Sequence, residues 1–195
     1  MVPAFLLVIL AVAYRLTTGL MIHSGTTWLS NFAPFAAIAL CSAAYFPMRF
    51  KFSVPLIALL ISDAVLNFHY DAPLFSPLIV CRYLTLAAIG LIGLVLQNRA
   101  SLKTLLPASI LGSTIFYAVT CTFAWLSDPG YARNFAGLIQ SLTVGLPQYS
   151  ATPSWMFFRN SLVSDLFFTL VFVMCFHFSR SAESLRSKAA LQRPA

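Results

Sequence analysis

Ser62-Asp63-Ala64-Val65-Leu66-Asn67-Phe68-His69-Tyr70-Asp71-Ala72-Pro73-Leu74-Phe75-Ser76-Pro77-Leu78-Ile79-Val80-Cys81-Arg82-Tyr83 is the stretch whose reading decides the fold. It gathers Asp63, His69, Tyr70, Asp71, Cys81 and Arg82 in a chain that is otherwise mostly hydrocarbon. A charged side chain at membrane depth costs about 2.5–3.5 kcal/mol on insertion scales, so clustered charges there read as a functional site with internal pairing. Pro73 and Pro77 divide the stretch between the end of one apolar run and the start of the next. It therefore reads as a hairpin whose polar residues face one outward cavity.

The surrounding composition fixes the solvent. Of the 195 residues 59% are hydrophobic and 9% charged, with a mean hydropathy of +0.85, whereas soluble domains carry about a quarter charged residues. The expected class is an all-α integral membrane protein, because each spanning helix satisfies its own backbone and needs about 20 residues. Apolar runs at about 2–22, 31–47, 52–68, 74–97, 105–127 and 160–179 predict a six-helix bundle. Arg15 interrupts the first run, which lacks a basic leader and a cleavage signal and reads as a retained helix. Pro34 suits the first turn of the second. That run also sets Ala33, Ala36, Ala37, Ala39 and Ala43 at spacings of three and four, a face built for close helix packing.

Residues 128–159 are too long for a tight connection. Their aromatic content (Tyr131, Phe135, Tyr149, Trp155, Phe157 and Phe158) argues for a structured loop with a short amphipathic helix at about 134–146. Residues 180–195 form a polar, basic tail. The net charge of +7 is dispersed over short connections and this tail, which excludes a nucleic-acid patch and reports topology instead. Arg49, Lys51, Arg99, Lys103 and the tail arginines and lysine share one side, so both termini are expected to be cytoplasmic. The connections at 22–30, 69–73 and 128–159 then lie outside.

Depth follows from the helical rise of about 1.5 Å per residue. Arg15, Asp63, Cys81, Arg82, the group Thr120-Cys121-Thr122 and Asp165 all fall in the outer half of the membrane. Two arginines facing two carboxylates permit neutral pairing, either as glue for the bundle or as the floor of a ligand cavity made of Arg15, Asp63 and Asp165. The cysteines Cys41, Cys81, Cys121 and Cys175 show no Cys-x-x-Cys spacing, which excludes a zinc knuckle. Cys81 is set apart by Arg82, since an adjacent cation favours thiolate, the form that ligates soft metals. The alternative is that Cys81 only packs. His23 and His69 are other candidate ligands at the outer edge. No nucleophile elbow, zinc-protease helix or ATP-binding loop occurs, so no catalytic residue is assigned.

Six helices in this length, an Ala33-x-x-x-Ala37 motif on an early helix and an outward site roofed by loops resemble the S component of energy-coupling-factor (ECF) vitamin transporters. Asn31-Phe32-Ala33-Pro34, the Ala-rich run to Tyr45-Phe46, and Pro55 through Ser62-Asp63 are similar to a group of small bacterial membrane proteins related to S components. The resemblance covers nearly the whole chain at the level of architecture. It implies a protein of the bacterial cytoplasmic membrane that binds a vitamin from outside, with Ala33 and Ala37 touching a transmembrane coupling subunit that works with ATPases. The solitary cobalamin-specific type implies Cys81 as a ligand to cobalt, with cobalamin as the transported molecule. Ligand contacts are expected from Asn31, His69, Tyr70, Cys81, Arg82, Tyr149, Trp155 and Asn160. Three alternatives stand beside this reading: an S component for another vitamin or precursor, a membrane enzyme using Asp63, His69 and Asp165, and a structural subunit.

Overall fold

A computed structural model describes residues 2–21, 32–71, 73, 75–148, 150 and 152–191, with the side chains of residues 7–20 and of the later ones up to 179. Among the described residues the chain is all-helical. Its elements are α1 (Val2–Met21), α2 (Phe35–Tyr45), α3 (Ser53–His69), α4 (Pro77–Leu96, prolonged by a 3-10 turn at Gln97–Arg99), α5 (Leu102–Ser127), α6 (Phe135–Leu142) and α7 (Ser154–Leu191). Three segments are long and apolar enough to cross a membrane: Pro77–Arg99, Leu102–Ser127 and Ser154–Ser179. Leu7–Leu20, Phe35–Tyr45 and Ser53–His69 are shorter apolar helices. This is a helical membrane protein.

The shortest of these, α2, is the axis of the fold. Every residue from Phe35 to Ala44 is buried, and the helix packs most heavily on α4, then α7 and α5. Its alanines explain the central position, since small side chains let several neighbours close in at once. Gly93 of α4 makes the nearest approach: a Cβ there would run into the Leu40 backbone carbonyl. The alanine face is thus spent inside the chain. Ala33 and Ala37 are 4% and 0% exposed, which corrects the expectation that they meet a coupling subunit.

Around α2 the remaining helices contact in the order α3, α1, α7, α5, α4. The α3–α4 seam is different in kind. An apolar void of about 130 Å³ lies there between Pro55, Leu59, Tyr83 and Leu86, and polar side chains bridge the two helices instead of close packing. At the far end from the loop 128–153, Lys51 Nζ donates to Gln97 Oε1, bringing the two basic connections together.

Several boundaries differ from the sequence expectation for local reasons. Pro34 stands outside α2 as its N-cap, in non-helical backbone, because a residue before proline avoids the α region and the chain stays extended through Ala33. The fourth helix starts at Pro77, with the Ser76 hydroxyl accepting from Ile79 N–H at 3.3 Å. The fifth starts at Leu102, behind a capping box of Ser101 and Thr104. The last extends both ways, taking 154–159 from the expected loop and 180–191 from the expected tail, where the run from Ala182 to Leu191 is rich in helix formers. The short loop helix α6 ends early: Gly145 adopts φ +76° and donates to the Gln140 carbonyl at 2.8 Å.

Candidate functional site

At the end of the bundle that faces residues 128–154, α1, α3, α4, α5 and the Phe32–Phe35 segment surround a cavity of about 360 Å³. Arg15, Phe35 and Arg82 give it a cationic and aromatic surface; Leu66, Leu78, Phe116, Thr120, Cys121 and Ala124 form its walls. Tyr131, Ser141 and Ser154 come from the loop region. That loop is tied to α5: Trp125 Nε1 donates to the Ala132 carbonyl at 2.8 Å, Arg133 donates to the Trp125 carbonyl, and Tyr117 donates to the Leu142 carbonyl. Burial raises the Tyr131 phenol above its ordinary pKa, with Cys121 and Asp128 adding to the shift.

Asp63 organises the charged side. One oxygen, Oδ1, accepts from Arg15 Nη2 and from Arg82 Nη2, the latter at 3.2 Å. The other, Oδ2, accepts from the Tyr83 hydroxyl at 2.7 Å. Arg15 also donates to Ser62 Oγ. Three helices are tied at one carboxylate. The side chains are 11% exposed at Arg15, 10% at Asp63 and 25% at Arg82, so of the two guanidiniums that line the cavity Arg82 is the more open to it. Both guanidiniums lie near the Phe35 ring, 4.4 Å for Arg15 and 5.6 Å for Arg82 from its centroid, and Phe35 stacks on Phe116 at 5.9 Å.

Asp165 stands apart from them. This corrects the expected pairing of two arginines with two carboxylates: both arginines meet Asp63, and among the described residues no cation reaches Asp165. Fully buried, Asp165 accepts from the Ala37 amide at 2.9 Å, from Ser113 Oγ at 2.7 Å and from Ser161 Oγ at 3.4 Å. The carboxylate therefore caps the N-terminus of α2, which has no side-chain cap of its own, and the aligned peptide dipoles supply the positive partner. Thr169 extends the polar seam by donating to Ser109 Oγ at 3.1 Å. Asp165 serves as a structural clamp and not as cavity floor.

Other predicted residues separate in the same way. Tyr70 lines the cavity and donates to the Gly19 carbonyl; His69 is exposed beside it, ring to ring at 5.2 Å. Cys81 lies in a different, apolar groove between α4 and α5, with Val80, Leu84, Val119 and Phe123. Successive helical residues point about 100° apart, so placing Arg82 on the cavity turns Cys81 out of it. Trp155 is exposed, with Arg159 over its ring at 5.6 Å, and Asn160 is buried and accepts from Arg159 at 3.0 Å; neither lines the cavity. Asn31, Tyr149 and His23 lie outside the described residues. Asp63, His69 and Asp165 share no cavity, and among the described residues no three His, Cys, Asp or Glu side chains converge as a metal site.

Sequence reasoning missed Tyr83, Phe35 and the serine pair Ser109 and Ser113. The i, i+4 spacing of Ser109 with Ser113, and of Ser161 with Asp165 and Thr169, was the available signal for a buried polar seam. Tyr83 and Phe35 meet the charges only through contacts across helices.

The sequence matches a family described as of unknown function (DUF6580) over residues 1–188. No curated protein and no solved structure matches it.

Proposed function

The chain belongs to the DUF6580 family, and from the geometry of its cavity we propose that it is a substrate-binding membrane protein that takes a small molecule, of vitamin or vitamin-precursor size, from the outer face of the bacterial cytoplasmic membrane. The proposal includes six membrane-embedded helices and cytoplasmic termini. With 11 residues, α2 is about 17 Å long and reaches only part of the way across. Its non-helical leader Phe32–Pro34, which turns at Pro34, is enclosed by protein, the setting in which non-helical backbone is tolerated at depth. The basic connections at the opposite end support the orientation.

The observation that carries this reading is a cavity whose charged groups are already cross-braced by Asp63, so that they are presented without collapsing on one another. Two observations favour a small ligand over cobalamin. A volume of about 360 Å³ is at the low end of the range of about 300–1,000 Å³ for pockets holding drug-sized molecules, and a corrin with its nucleotide arm is larger than those. Cys81, proposed for cobalt, opens on the α4–α5 groove.

Mass spectrometry of compounds that co-purify with the protein, joined to uptake measurements in cells, tests the reading. Ala124→Trp should fill the cavity from its wall, remove the co-purified compound and abolish uptake while the helical content persists. Undiminished uptake by that variant would refute a transport role for the cavity.

A further inference from the structure

The cavity's charge does not balance. Two guanidiniums share the Asp63 carboxylate, which leaves one positive charge over. The whole chain has only five acids to offer: Asp63, Asp71, Asp128, Asp165 and Glu183. Asp165 is enclosed at the N-terminus of α2. Asp128 turns back on its own loop, accepting from Gly130 N–H at 2.8 Å. Asp71 is exposed beyond the end of α3 and does not line the cavity, and Glu183 lies some 30 residues along α7 from Ser154, the cavity's contact on that helix. Among the described residues no further carboxylate is left to neutralise Arg82 from the cavity side. An excess cation at membrane depth is costly unless something answers it.

Resting on the reading above, we infer that the ligand is a small anionic solute: a carboxylate or equivalent acidic group seats on Arg82 beside Arg15, and an apolar, preferably planar body lies against Phe32, Phe35 and Phe116. The geometry suits this division. Arg82 is the more exposed of the two guanidiniums, and its planar fork matches a carboxylate. Phe35 lies within reach of both cations and stacks on Phe116; both rings are largely buried and border the cavity beside the charge, which gives that wall its aromatic character. Asp63 holds the arginines in position and prevents a second anion from being needed.

Cys121 on the cavity wall supplies a probe that needs no knowledge of the ligand. In a Cys81→Ala, Cys175→Ala background, with the fully buried Cys41 left in place, Cys121 is labelled with a sulfonate-bearing and with a trimethylammonium-bearing methanethiosulfonate. Each reagent forms a disulfide with the thiolate and releases methanesulfinate. Relative to their ratio on free cysteine, the anionic reagent should react roughly tenfold faster in the cavity. Arg82→Gln should bring that preference close to one, and Arg82→Lys, which keeps the charge, should retain it. Protection of Cys121 by 2-naphthoate and not by 2-naphthamide is the matching equilibrium result.

The failures are distinguishable. Equal or inverted reagent preference, or equal protection by acid and amide, overturns the anionic ligand and leaves the open cavity standing. Resistance to both reagents at alkaline pH, of Cys121 and equally of an Ala124→Cys on the same wall, means that the cavity is closed to water, and both the ligand inference and the substrate-binding function then fall.

Discussion

Asp63 and Asp165 are the same side chain at a similar depth in one bundle, and they do opposite work. Asp63 has two arginines and a tyrosine, stands beside a cavity, and bridges the α3–α4 seam where packing is incomplete. Asp165 meets no cation among the described residues, is sealed from solvent, and joins α7, α5 and α2 where packing is dense. The difference teaches that charge pairing in this protein marks the place beside the open cavity, where we propose that ligand binds, whereas capping by hydroxyls and backbone amides marks the place that holds the fold. Water entering the cavity can partly replace a lost partner of Asp63. Nothing can replace Asp165.

The largest effect should therefore come from Asp165→Ala. The change leaves the Ala37 amide and the serine hydroxyls without an acceptor in a dry interior, each at about 1–3 kcal/mol, and it uncaps the central helix. Thermal unfolding in detergent should show an apparent midpoint lower by roughly 10 °C. Asp165→Asn keeps one acceptor oxygen and can donate to a serine in return, so it should lose less than half of that. Wild-type stability in Asp165→Ala would break the division between the two sites.

Asp63→Asn should act in the reverse pattern. Its stability loss should be smaller, about 1–2 kcal/mol, because the two guanidiniums are partly exposed and gain solvation from the cavity. Ligand binding should suffer more, since the arginines lose the group that fixes their directions. The measurement is a pair: unfolding midpoint and retention of the co-purified compound. A variant that loses stability as Asp165→Ala does, yet binds normally, would make Asp63 glue and remove its role at the site.

How far these roles were legible depends on what each contact spans. The hairpin of α3 and α4 and the common level at which Arg15, Asp63 and Arg82 meet could be read from the chain, because counting residues from the ends of the apolar runs aligns them and a break at Pro73 and Pro77 fixes the turn. The clamp at Asp165 could not, since its partners come from α2, α5 and α7 and one of them is a backbone amide, which carries no residue signature. The alanines of α2 misled for a related reason. Small residues announce that something approaches closely, but the same pattern suits a neighbouring subunit or the chain's own helices, and only the short length of α2 favours the second. Cys81 was misplaced by adjacency in sequence: a residue next to Arg82 in the chain is about 100° away from it around the helix.

That last point yields the smallest predicted effect and the cleanest one. Cys81 is half-buried in the α4–α5 groove among Val80, Leu84, Val119 and Phe123. Cys81→Ala removes one sulfur from an apolar groove that opens outward, so stability should change by no more than about 0.5 kcal/mol, and the affinity for the co-purified compound should stay within about twofold, a shift of about 0.4 kcal/mol. The cavity cysteine, Cys121, gives the contrast: a bulky thiol adduct there should block binding outright. Loss of binding in Cys81→Ala, with Cys121 modification tolerated, would move the ligand from the arginine cavity to the α4–α5 groove and reverse the assignment of the two faces of α4.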